Sequence, residues 1–222
     1  SMERQGETWA VTTDKGTVRA PQVILTTNAY TDTLWPNLKQ TFFPLTSVSL
    51  ATAPLTSEQQ KTVLPNTSNI ADTRRAIYYS RFDRDRRLIF GCVGSGDNSQ
   101  LMGGVGRLMG GLRTVFPQLE GIGIEGTWSG RIAVTPEMMP HLHEPAPGVL
   151  AAVGFSGRGI AMTSVMGRTL AQKALGASND TLPFPVSDIS PIPRQWAVNS
   201  ALPLAAPAMT VRDRIDTMID PL

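Results

Sequence analysis

Val149 to Val153 is an unbroken apolar run, and Gly154, Gly157 and Gly159 punctuate the turn that follows it. From Ile160 onward Val165, Met166, Leu170, Ala171, Ala174 and Leu175 recur at helical spacing, and Gly176 stands where a left-handed C-cap belongs. A strand feeding a glycine turn and then a helix gathers free backbone N–H groups and the positive end of a helix dipole in one place. Such a place suits an anionic or electron-rich ligand edge. The glycines, having no Cβ, would let a flat or bulky ligand approach the backbone. The same residue types equally suit a plain strand-loop-helix connection with no ligand.

Other side chains could do chemistry. Tyr78, Tyr79 and Arg81 lie in an extended run, so Tyr79 and Arg81 share one face and Tyr78 takes the other. An arginine there could fork onto a substrate carboxylate; a solvated arginine beside a core tyrosine is the competing reading. Arg131 follows Trp128, Ser129 and Gly130, where it could hold an acidic group or form an ordinary ion pair. His141 and His143 flank Leu142 without a Cys or carboxylate set nearby, so no metal is assigned. Cys92 is the single cysteine, which excludes an internal disulfide. Its apolar neighbours make it a core residue rather than a nucleophile, and a reducing, cytoplasmic compartment is expected. Gly121, Gly123 and Gly126 match G-x-G-x-x-G literally, but they follow the helix terminator Pro117 and lead into a strand. No dinucleotide fingerprint is read there.

The elements that must position these residues are legible in outline. Residues 8–20 predict a hairpin, 22–27 a buried strand and 46–53 a half-buried strand. A helix over 58–64, capped by Thr56 or Ser57, ends at Pro65. Residues 76–82 and 87–93 form a second hairpin, 103–116 a helix, and 125–134 a strand. Past Gly176, six prolines from Pro183 to Pro207 predict an extended segment, with a short helix over 210–219. Ser1 and Met2 read as remnants of expression. The length of 222 residues allows one large or two small domains, and 41% hydrophobic residues suffice for a core. A net charge of +2 without a basic stripe gives no case for nucleic acid. The absence of a bilayer-length apolar run gives none for a membrane, so a soluble chain is expected.

Residues 149–175 resemble the C-terminal flavin-binding segment of the D-amino-acid oxidase, glycine oxidase and sarcosine oxidase family, in the variety of the γ-glutamylputrescine oxidoreductases. The run from Trp9 to Tyr30, with its Thr26, Thr27, Asn28 and Ala29, is similar to that family's β-hairpin and last parallel strand. Trp128 to Arg131, continuing through Thr135, Pro136 and Pro140, resembles the return from the substrate domain to the flavin. The resemblance implies an FAD cofactor, with ring contacts from Asn28, Gly154, Phe155, Ser156, Gly157, Arg158, Gly159 and Ile160. It implies oxidation of the C–N bond of an amine or amino acid to an imine. Tyr79, Arg81 and Arg131 are the candidate catalytic residues.

The implied fold is α+β. A substrate-binding domain of mainly antiparallel sheet with flanking helices joins an incomplete, Rossmann-like FAD-binding domain. The expected divisions are 1–43 and 141–176 in the FAD domain, 44–140 in the substrate domain, and 177–222 as a proline-rich tail. The family's glycine fingerprint and acidic ribose ligand would lie upstream of Ser1. The chain alone is therefore expected to lack FAD and oxidase activity, and to self-associate through apolar surface that truncation uncovers. A non-enzymatic binding domain of the same fold, or a non-redox α+β domain with a coincidental glycine turn, stays open on the residues alone.

Overall fold

The computed structural model describes residues 1–94 and 101–219, apart from the side chains of residues 101–104, 205, 206, 214, 217 and 219. In chain order come β1 (Met2–Gln5), β2 (Thr8–Thr13), β3 (Gly16–Ala20), β4 (Val23–Leu25) and β5 (Phe43–Pro54). There follow α1 (Ser57–Val63), β6 (Ile70–Ala71), β7 (Tyr78–Phe82), β8 (Arg87–Gly94), α2 (Leu101–Val115) and β9 (Ile124–Val134). The chain closes with β10 (His141–Ala146), β11 (Val149–Val153), α3 (Gly159–Ala174) and α4 (Gln195–Ile219). It divides into two compact units: residues 1–44 with 132–196, and residues 45–131 with 197–222.

In the first unit β1, β2 and β3 form an antiparallel sheet, so the predicted hairpin gains a third strand. Met2 belongs to that strand, paired with Val11. A second sheet has the order β10-β11-β4, with β11 and β4 parallel and Val149 opposite Val23. All five residues of β11 are buried, and alternation sends them to two cores. Val149, Ala151 and Val153 pack with Leu25, Leu38 and Phe42. Leu150 and Ala152 pack with Leu142, Met166 and Leu170, which seats α3 on the sheet. A continuous apolar run is what a strand covered on both faces requires.

The second unit is built on a sheet of order β6-β7-β8-β5-β9. One face carries Val48, Leu50, Leu88, Phe90 and Cys92, which pack with Leu108, Leu112 and Phe116 around α2. Burial pushes the Cys92 thiol above its ordinary pKa, as an inert core residue should show. The turn of α1 is held by a full capping box: Gln59 N donates to Thr56 Oγ1 at 3.2 Å, and Thr56 N donates to Gln59 Oε1 at 2.9 Å.

The tail departs from expectation. Helix α4 starts at Gln195 and passes through Pro203 and Pro207 instead of beginning near residue 210. Each proline lacks a donor and crowds the carbonyl four residues back. Standing four apart, the two place these defects on one helix face, and the helix continues past both. Ala201, Leu202, Leu204, Ala208 and Met209 around them are strong helix formers.

Candidate functional site

The parallel pairing of β4 with β11 brings their carboxyl ends together, and ligands in α/β sheets bind at such ends. The chain leaves β4 through a 3-10 turn at Asn28–Tyr30, and Asn28 adopts φ of +42°. Its Oδ1 accepts a hydrogen bond from Gly154 N at 3.0 Å, which ties this turn to the one after β11. Gly154 has φ of +82°, and a Cβ there would lie 2.3 Å from Thr135 Cγ2. Glycine is required at that position for both reasons.

Ser156 is the hidden fastener of the turn. Its φ is +49°, an unfavourable value for a non-glycine residue. The conformation is held by three bonds: Ser156 N donates to Ala133 O at 2.8 Å, Oγ donates to Gly154 O at 3.1 Å, and Oγ accepts from Thr135 N at 3.3 Å. Arg158 is engaged as well, donating from its guanidinium to Met138 O at 2.8 Å. Phe155 faces inward and packs on the Leu142, Met166 and Leu170 cluster.

Gly157 and Gly159 behave differently from Gly154. A Cβ on either would meet nothing within 4 Å, although Gly157 has φ of +82°. Ile160 is 97% exposed at the first turn of α3, an unusual setting for a β-branched apolar side chain. No side chain among the described residues caps that helix. The first intrahelical bond is Met162 N to Arg158 O at 2.9 Å, so the N–H groups before it have no partner within α3. These donors, the dipole and the bare backbone of Gly157 fit the electron-rich edge of a flat, anionic or polarisable ring.

Tyr79, Arg81 and Arg131 belong to the second unit. Tyr78 turns to the packed face of the sheet, stacked on Phe90 at 5.2 Å between centroids. Tyr79 turns to the opposite face, where its hydroxyl lies 2.5 Å from Ser47 Oγ and 3.5 Å from Ser49 Oγ. Arg81 shares that face by alternation and is exposed, as is Arg131 on β9. Ser47 and Ser49 were not singled out from the sequence. Their polar alternation with Val48 and Leu50 was the available signal.

The two histidines form no metal cluster among the described residues. His143 is buried, and its Nδ1 donates to Ser187 O at 2.8 Å; a carbonyl can only accept, so the proton sits on Nδ1. His141 donates from Nε2 to the Glu137 carboxylate. Burial is the largest single influence and raises that carboxyl, but the bond from His141, a backbone bond and the attraction of His141 together outweigh it and hold Glu137 below the usual range.

Residues 1–173 match the family described as FAD dependent oxidoreductase, DAO. The chain belongs to that family. Among its relatives is a protein named "Probable oxidoreductase OrdL" from Haemophilus influenzae, 34% identical over 170 residues, covering 75% of this chain and 38% of the relative. Gamma-glutamylputrescine oxidoreductase from Escherichia coli is 30% identical over 171 residues, covering 75% of this chain and 39% of its own length. The fold is that of glycine oxidase from Geobacillus kaustophilus, with a TM-score of 0.67 at 19% identity, over 84% of this chain and 50% of the oxidase. The chain spans about two fifths of the length of these curated relatives. No helix among the described residues is long and apolar enough to cross a membrane.

Proposed function

We propose that the chain is the C-terminal portion of an FAD-dependent enzyme that oxidises the C–N bond of an amine or amino acid to an imine. The observation that carries this reading is the joined pair of turns, Asn28 bonded to Gly154, beside an uncapped α3 and an open Gly157 in a chain of FAD-dependent family. Its similarity to gamma-glutamylputrescine oxidoreductase and to glycine oxidase supports an amine or amino-acid substrate.

Asn28 and the residues from Gly154 to Ile160 would hold the flavin ring. FAD, when bound, supplies the two-electron acceptor for the reaction. The N-terminus of α3 would favour negative charge on the ring edge by roughly 0.3–2 kcal/mol. Tyr79 and Arg81 on the open sheet face, and Arg131 on β9, are the candidate substrate contacts. The proposed roles divide as 1–43 and 141–176 for cofactor, and 44–140 for substrate.

The test is a longer protein of the relatives' full length, reconstituted with FAD and screened against amines and amino acids. A flavin spectrum and imine formation from at least one C–N substrate are expected. Arg131→Met should raise KM for an acidic substrate. Stoichiometric flavin with no turnover across the panel would remove the C–N reading, and failure to take up FAD would remove the cofactor reading.

A further inference from the structure

We infer that α4 is a dimerisation helix, whose outer face takes the α4 of a second copy of this chain in antiparallel orientation. The helix carries its amphipathic character reversed. Its polar side is the one that docks on the second unit. The Asp213 carboxylate accepts from Arg75 N at 3.2 Å and from Ala76 N at 3.4 Å, and the Arg75 guanidinium pairs with both Asp213 and Asp216. Its apolar side faces outward. Ala201, Leu204, Ala208, Val211, Ile215 and Met218 are all exposed, Leu204 to 70% and Met218 to 81%. Their spacing alternates between three and four residues, the interval at which one helix packs along another. Pro203 and Pro207 stand off this stripe.

The stripe is complementary to itself. A two-fold axis crossing the helix between Met209 and Thr210 sets Ala201 against Met218, Leu204 against Ile215 and Ala208 against Val211 of the second copy. Alanine then meets a large side chain at both of its positions, as interdigitated packing requires. A parallel pair would instead oppose alanine to alanine at 201 and 208 and leave voids between the larger layers. The stripe is about 26 Å long and a helix contact about 10 Å wide, so the pair buries about 500 Å² in all, below the range of permanent dimers. The association is therefore reversible and grows with concentration.

Disulfide trapping of the 222-residue chain reads this contact apart from any other association, and the buried Cys92 does not compete. Leu204→Cys and Ile215→Cys chains, mixed and oxidised, should link to each other about tenfold more than either links to itself. In the antiparallel pair each of these positions lies about 16 Å along the axis from its own counterpart, beyond the reach of a disulfide. Ala201→Cys mixed with Met218→Cys should behave in the same way. Val211→Glu, at an exposed position and introduced into both chains, should abolish the mixed link. A link that forms best within the Leu204→Cys chain alone would mean a parallel pair, and equal yields in every combination would mean chance collision. Either result overturns the inference. So does flotation of the chain with phosphatidylglycerol vesicles, lost in Val211→Glu, when no mixed link forms.

Discussion

The glycines of one turn do two different jobs, and substitution separates them. Gly154→Ala would set a methyl 2.3 Å from Thr135 Cγ2 in a left-handed conformation. A loss of about 1–3 kcal/mol is expected in urea unfolding of the chain. A Cβ at Gly157 meets no neighbour within 4 Å, so backbone strain of about 1–2 kcal/mol is the expected cost of Gly157→Val to the chain. In a reconstituted full-length protein, however, Gly157→Val should weaken flavin uptake if the ring lies against that backbone. Unchanged flavin content there would argue against the contact. His143 gives the pH response at the same scale. Burial, reinforced by neighbouring His141, lowers its pKa more than the bond to the Ser187 carbonyl raises it. The unfolded chain therefore takes up the proton first as pH falls, and acid destabilises the fold. This stability is complete above the ordinary imidazole value of about 6.5 and is lost in the window that opens below it as pH falls. His143→Asn, which keeps a donor for Ser187, should flatten the fall in urea midpoint over that window. Parallel pH profiles for the two proteins would exclude His143 as its source.

At the scale of elements, α2 shows packing outweighing propensity. Gly111 lies inside the helix, where alanine would ordinarily gain about 1 kcal/mol. A Cβ there would stand 2.4 Å from Tyr78 Cε1 and Cζ, and that ring is already stacked on Phe90. Displacing the ring should cost about 1–3 kcal/mol, so Gly111→Ala is expected to be destabilising or neutral and not stabilising. A raised urea midpoint would mean that Tyr78 moves freely. Helix α1 shows the opposite balance: seven residues are too few to persist alone, and its capping box and the buried Val63 hold it.

For the whole molecule, the decisive feature is apolar surface. Ile160 and Val165 on α3, Leu175 just past its end and Ile24 on β4 are exposed. Faces of this kind usually meet a partner surface. Light scattering of the 222-residue chain should show concentration-dependent association, and its absorbance should show no stoichiometric flavin, since no dinucleotide fingerprint is read in its sequence. A monomer carrying bound FAD would overturn both expectations.

Local chemistry made much of this protein readable from its residues. Continuous apolarity in Val149–Val153, alternation along β5 and β7, and the Thr56 cap each depend on near neighbours, so the sequence alone determined those elements. The Gly154 to Ile160 turn was legible for the same reason, and with it the family. What tertiary structure decided are the relations between distant segments. Asn28 meets Gly154 only because β4 pairs with β11, and Ser156 is locked only because Ala133 and Thr135 lie beside it. The seat of Tyr79 needs β5, β7 and β8 in register, which no single strand encodes. The helical run through Pro203 and Pro207 likewise overrode a local rule, because two defects on one face of an alanine- and leucine-rich helix cost less than unwinding it.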